Sequence, residues 1–454
     1  MKKIAIIGSG AYASYAASVI YEVHPEYDVH IFEVGDEKIK SQDEIGFSSE
    51  LLNCQYDALT KGRYFGFGGA TAKWGGQILS FSDNDFQSPT NYLKGIVELN
   101  KKYRKNIFKK VRIGNDIPEV KLDNGMFTKT GVWLDYFHRN LFKLFGVKDY
   151  KNVTLHPHCR VTKVNVNGKK VVGFEYIHNG EKAVATDFDF IFLAAGAFED
   201  TRIMMMSGLQ DRTCVQFSDH IAKRIFNVRG TTKIGDIDME FKIKNFSFIT
   251  KRIIGEHEGI SYFGYPAYNA EYPFFQNLKK LLFGHKLSLN LAKAIFKDIP
   301  SAFMFAWRFF VQHRLYVYRN EWAFVLHMEN PMGHGIVKLS DTLDKFGEPG
   351  IAIDFSISPK SEAIFAQVTD KFDKLLTDNG VEHTRVEDAV HTRKFEDEYH
   401  PFALYSDFDS VEEYFNQFDN MLVIHSGVLP RAGGINSTSA AFPLLEEFIR
   451  TKMN

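Results

Sequence analysis

Residues 2–35 read KKIAIIGSGAYASYAASVIYEVHPEYDVHIFEVG. An apolar strand, Ile4 to Ile7, runs into Gly8, Gly10 and Ala13, and a second strand ends at Glu33. This is the opening of a dinucleotide-binding unit. The glycines let the backbone turn tightly and approach a pyrophosphate, and the following helix presents its N-terminus to the phosphate charge. Glu33 follows Ala13 by 20 residues, where an acidic side chain accepts from ribose hydroxyls. The other end of the chain supplies His400, Asn436 and a Gly433-Gly434 turn entering a helix. A cofactor site at one end and a proton-handling pair at the other point to a redox enzyme.

Bulk properties narrow the choice. A chain of 454 residues holds two domains or one large composite one. The net charge of −1 gives no global field to select nucleic acid. Cys54, Cys159 and Cys214 show no paired spacing, so no disulfide framework or zinc site is expected, and a reducing, cytoplasmic setting fits. The apolar stretch before Gly8 is too short for the core of a signal peptide. No run approaches the ~18 apolar residues of a spanning helix.

Along the chain, residues 61–82 are rich in glycine, which implies close backbone approach to another group. Residues 153–178 alternate and turn at Asn167-Gly168, a hairpin signal. Phe188 to Ala194 reads as a buried strand leading into a helix. From about 222, short alternating stretches predict an antiparallel sheet, and 322–356 reads as further strands. Residues 360–380 place Ile364, Val368, Phe372 and Leu375 at helical spacing.

Four elements together resemble the glucose–methanol–choline oxidoreductases, FAD-dependent alcohol and sugar oxidases and dehydrogenases. They are GSGAYA with Glu33, RYFGFGGATAKWGG at 63–76, AAGAFEDTRIMMMSG at 194–208, and the C-terminal HP with GGINSTS. SDHI at 218–221 and MENP with KLSDTLDKFGEPG at 328–350 are fainter echoes. The resemblance covers roughly half of the chain, nearly all of it in the cofactor part. It implies an α/β fold with a discontinuous Rossmann-type FAD-binding domain from 1–90, 150–222 and 395–454. An α+β substrate domain with an antiparallel sheet and helical cap would come from 91–149 and 223–394.

The resemblance also implies roles. Gly8, Gly10 and Ala13 would hold the pyrophosphate, Glu33 the ribose, and Val161 the adenine through its backbone. Gly68, Gly69, Ala70 and Thr71 would pass along the flavin, with Ala195 and Gly196 forming the turn beneath the nucleotide and Ser437 near the ring. Lys73 stands where some members carry a flavin-linked histidine, so FAD is expected to be non-covalent. His400 and Asn436 match the family's catalytic pair: one takes the hydroxyl proton, the other holds the hydroxyl so that its C–H bond points at flavin N5. A proton acceptor with a pKa near the working pH favours histidine for the first task. Phe402-Ala403-Leu404-Tyr405 after the HP pair, and Ser437 in place of a proline, depart from the family pattern. His391 is an outside candidate for a substrate contact, and His425 is expected to be structural.

The expected substrate is an alcohol group of a sugar or glycoside. A flavin-dependent non-oxidising mutase, and an FAD-fold binding protein without catalysis, remain as alternatives. No motif separates oxygen from another electron acceptor. The segment from Lys279 to Arg319 holds eight Lys or Arg against one acid, Asp298. It reads as a plain cap, a membrane-surface helix pair on the inner face, or a clamp for an anionic substrate.

Overall fold

The computed structural model describes residues 1–453 except 55, 115–116, 123–124, 245, 269–275, 278–279, 282–287, 298, 388–394 and 436. Asn436 and His391 therefore lie outside the described residues, as does part of the basic insert 272–319.

The opening forms as its pattern predicts: β1 (Lys3–Ile7), α1 (Ala11–Val23) and β2 (Asp28–Phe32). β1 is central in a five-stranded parallel sheet, in the order Met421–Val423, Phe190–Leu193, β1, β2, Val153–His156. Its unbroken apolar run follows from burial on both faces. Ile4 and Ile6 join a core with α1 and the helix Phe442–Lys452. Ala5 and Ile7 face a second core with Val164, Phe174 and Ile203. That second core is closed by the antiparallel strands Cys159–Asn167, Lys170–His178 and Glu181–Thr186. The hairpin turns at Gly168, whose φ of +62° favours glycine. The sheet thus draws strands from both ends of the chain.

A ten-stranded sheet forms the second body. Its middle is antiparallel: His220–Arg229 pairs with Glu321–Glu329, then Ile260–Tyr268, Ser247–His257 and Phe127–Trp133 follow. The helix Pro359–Asp378 covers it, burying Ile364, Val368, Phe372 and Leu375 as their spacing predicts. Ser358 starts this helix by accepting from the Ser361 N–H at 2.9 Å, and Pro359 fits its first turn. The helix Asn91–Lys110, grouped by sequence with the substrate part, instead packs with α1 and Phe442–Lys452 in the first core. Its stripe of Leu93, Ile96, Val97 and Ile107 finds its apolar partner there.

Candidate active site

A cavity of about 730 Å³ runs from the end of β1 to the segment carrying His400. At its first end, Gly8 has φ +98°, and a Cβ there would sit 2.4 Å from the Ala194 carbonyl oxygen. Gly10 differs: a Cβ would meet nothing within 4 Å and would project into open space. No side chain caps α1, and its first turn holds no acid. Gly10 lines the cavity at that helix start, so the positive end of the helix is left for an anionic group. Ala13 lies inside the core rather than on the cavity. Glu33 lines the cavity, with Oε1 accepting from the Gly35 N–H at 2.9 Å and the Gly66 N–H at 3.1 Å. Its Oε2 accepts from the Ser9 hydroxyl at 2.7 Å. Burial raises its pKa, against these three donors.

The glycine-rich loop folds back onto this opening. Gly69 approaches so closely that its Cβ would lie 3.2 Å from the Gly10 Cα. Gly69, Ala70 and Thr71 line the cavity, whereas Gly68 turns toward Asn140 and does not. Lys73 and Trp74 line it further along. Val161, Ala195 and Gly196 line it as well. The Val161 carbonyl accepts from Arg202 at 2.9 Å, and the Ala195 N–H donates to Asp200 at 2.8 Å. Beside them Glu199 meets Arg63 at 3.1 Å, Arg202 at 2.9 Å and Arg160 at 3.5 Å. Burial alone would raise the Glu199 pKa, but the three guanidiniums hold it down at about 2.

At the far end, two buried carboxylates fasten two loops to the same edge of the antiparallel sheet. Strand pairing sets His220 opposite Glu329. Asp219 accepts from the His400 N–H at 3.1 Å, the His220 N–H at 2.7 Å and the Tyr56 hydroxyl at 2.6 Å. Glu329 accepts from the Ala432 N–H at 2.9 Å, the Gly433 N–H at 2.8 Å and Arg431 at 2.7 Å. The SDHI and MENP echoes thus hold the HP segment and the glycine turn. Ser218 and Phe402 exchange backbone hydrogen bonds of 3.0 and 2.8 Å, which seats the unusual Phe402. Tyr399 adopts φ +62°, a conformation bulky residues rarely take, immediately before the clamped His400 N–H.

His400 lines the cavity, and its Nδ1 is buried with no partner among the described residues. Burial, with the His220 and Arg252 charges, lowers its pKa to about 3. The sequence argument placed it near the working pH; a low-dielectric site beside a guanidinium overrides that. The ring is therefore neutral at neutral pH and able to accept a proton. His220 donates from Nε2 to the Gly433 carbonyl at 2.8 Å. Ser437 Oγ is buried with no partner among the described residues, and Ser437 and Thr438 line the cavity. His425 is structural as expected: buried, with Nδ1 accepting from the Gly427 N–H at 3.0 Å.

Sequence reasoning missed two groups here. Glu398 lines the cavity two residues before His400, and burial with the Asp219 carboxylate pushes its pKa up to about 8. Its Oε1 lies 3.4 Å from His327 Nδ1. His327 stacks on Phe263 with ring centres 4.3 Å apart. Asp219, His220 and His400 come close enough to suggest a metal cluster. The Asp219 oxygens are already filled by backbone and Tyr56 donors, so the cluster reads as a clamp.

No protein-family model and no curated sequence matches the chain. Its structure, however, is similar over its whole length to solved flavoenzymes of the glucose–methanol–choline type. Pyridoxine 4-oxidase from Mesorbium loti superposes with a TM-score of 0.60 at 13% identity, covering 100% of this chain and 99% of that one. A formate oxidase variant from Aspergillus oryzae RIB40, studied for FAD modification, gives 0.56 at 13% identity, covering 98% and 97%. The chain thus shares the mixed α/β architecture of these proteins, as the sequence resemblance implied in outline.

Proposed function

We propose that this chain is an FAD-dependent oxidoreductase that oxidises a CH–OH group, with His400 as the proton acceptor. One observation carries the reading: a single cavity joins Gly8, Gly10 and Glu33 to His400 and Ser437. Its two ends suit the two halves of a dinucleotide cofactor. The open Gly10 and the uncapped α1 accommodate a pyrophosphate, and the remaining capacity of Glu33 Oε2 serves a ribose hydroxyl. Gly69, Thr71, Val161, Ala195 and Gly196 wall the intervening groove, and Gly68 shapes the loop from behind. Lys73 stands where a flavin-linking histidine would, so the cofactor is held without a covalent bond.

Bound FAD supplies the hydride acceptor. The chain supplies the proton chemistry and the orientation. Neutral His400 takes the substrate hydroxyl proton, and Asp219 fixes the backbone of that histidine through its N–H. Asn436, which in sequence follows the Glu329-held Gly433 and precedes the cavity-lining Ser437, is the proposed second polar group on the hydroxyl. The two solved neighbours are by name oxidases of pyridoxine and of formate, which supports oxidation of a small substrate. Trp133 and Tyr399 add aromatic faces to the cavity, which supports a sugar or glycoside alcohol.

The test is anaerobic mixing of the yellow protein with a panel of sugars, glycosides and simple alcohols. Bleaching of the flavin absorbance by at least one of them is expected, and air admitted afterwards reveals oxidase or dehydrogenase behaviour. Colourless protein after gentle purification, or a flavin that no alcohol bleaches, rejects the reading.

A further inference from the structure

The densest apolar stretch of the chain faces outward. Leu289–Phe296, Ile299–Ala306 and a π turn at Trp307–Val311 follow one another in the chain. Leu289, Phe296, Ile299, Phe303, Trp307 and Phe310 recur at helical spacing, and all are between 44% and 82% exposed. A stripe that buries nothing in its own fold marks a contact surface. Its surroundings are basic: Lys280, Lys293 and Lys297 are exposed, and none has an ion-pair partner among the described residues. Arg308 and Arg314 differ, being matched by Glu240 at 2.8 Å and Asp238 at 3.0 Å.

We propose that this face docks on an anionic lipid leaflet. Large apolar and aromatic residues entering the acyl boundary, with lysine ammoniums at headgroup level, are the two halves of interfacial binding. A second copy of the chain is disfavoured as the occupant. A two-fold contact sets the same patch against itself, so one basic patch would face another. The helices lie on the leaflet rather than cross it, since no described helix is long and apolar enough to span. Docking also brings the cavity near the lipid. Phe246, 69% exposed and 6.4 Å from Phe309 by ring centres, leads into Ser247–His257. On that strand the Thr250 hydroxyl accepts from Trp133, a wall of the cavity, at 3.0 Å. Four strand residues span only about 13 Å.

Co-sedimentation with vesicles tests this without any redox assay. At low salt the protein is expected to pellet with phosphatidylcholine vesicles containing phosphatidylglycerol, and to stay in solution with phosphatidylcholine alone. Phe303→Glu/Phe310→Glu and, separately, Lys293→Glu/Lys297→Glu are each expected to weaken partitioning about tenfold or more. Unchanged circular dichroism in both variants shows an intact fold. Four results overturn the proposal: no pelleting with anionic vesicles, equal pelleting with uncharged ones, either variant binding like the parent, or a lipid-free dimer that Phe303→Glu/Phe310→Glu dissociates.

Discussion

The two ends of the cavity are built on opposite plans. At the β1 end the two cavity-lining carboxylates are matched within the protein, while the Tyr12 hydroxyl and Arg160 Nε beside them have no hydrogen-bond partner among the described residues. Glu33 accepts from Ser9, Gly35 and Gly66, and Glu199 is enclosed by three arginines. What remains there is empty volume beside Gly10 and an open helix start. At the far end, polar atoms are buried without matches: His400 Nδ1, His220 Nδ1 and Ser437 Oγ have no hydrogen-bond partner among the described residues. Unmatched buried polar atoms cost stability unless another group completes them. The difference separates holding from reacting. One end offers open space beside a helix start and satisfied carboxylates, and the other offers a proton-accepting imidazole nitrogen that waits for something to bond.

The sharpest test of that contrast is His400→Ala. We expect flavin reduction to slow by ~10²–10⁴-fold with the flavin spectrum unchanged, because the substitution removes the reacting group and leaves the cradle. A loss of bound flavin instead would merge the two ends into one function. Next come two glycine substitutions at the cradle. Gly10→Ala places a methyl group in empty space and should keep the parent melting temperature. It should weaken FAD binding by an overpacking cost of about 1–3 kcal/mol, roughly 5- to 150-fold, read by equilibrium dialysis. Gly8→Ala meets the Ala194 carbonyl and a positive φ, so the melting temperature should fall as well.

Asp219→Asn probes how the reacting end is held. Burial raises the Asp219 pKa to about 8, so at neutral pH the change removes acceptor capacity more than charge; leaving one buried donor unmet should cost about 1–3 kcal/mol in positioning, or about five- to 150-fold in rate. The fall should appear in kcat and leave KM little changed; a KM effect alone would assign Asp219 to substrate binding instead. The smallest effect is expected from Glu398→Gln, seen in the pH profile. Glu398 is protonated at neutral pH and ionises near its pKa of about 8. The new negative charge favours protonated His400, so the parent rate should rise from pH 7 to 9. The variant should show a smaller rise, and an unchanged profile would remove Glu398 from the proton chemistry.

Legibility from sequence follows the same division. The β1–α1–β2 opening was readable because Gly8 turns at the strand's end with a positive φ and Gly10 leaves the start of α1 open, and the helix 359–378 because its apolar spacing and Ser358-Pro359 start are local too. The hairpin at Gly168 is equally local. The reacting end was readable only in part. His400 emerged through resemblance, but its environment joins segments near 56, 219, 252, 327 and 398, which no spacing rule connects. Its lowered pKa was invisible for the same reason, since burial and the Arg252 charge come from distant strands. The exposed stripe from Leu289 to Phe310 shows the converse failure: apolar spacing predicts a helix but does not say which way it faces.

The twin carboxylate fastenings bear on the order in which the protein matures. Asp219 and Glu329 can grip the C-terminal loops only after their two strands have zipped together, across a separation of about a hundred residues. Pairing of those two strands should therefore precede any competent groove. On refolding from denaturant with FAD present, we expect far-ultraviolet circular dichroism to recover before flavin fluorescence is quenched. Simultaneous recovery would show that prosthetic-group capture steers assembly instead of following it.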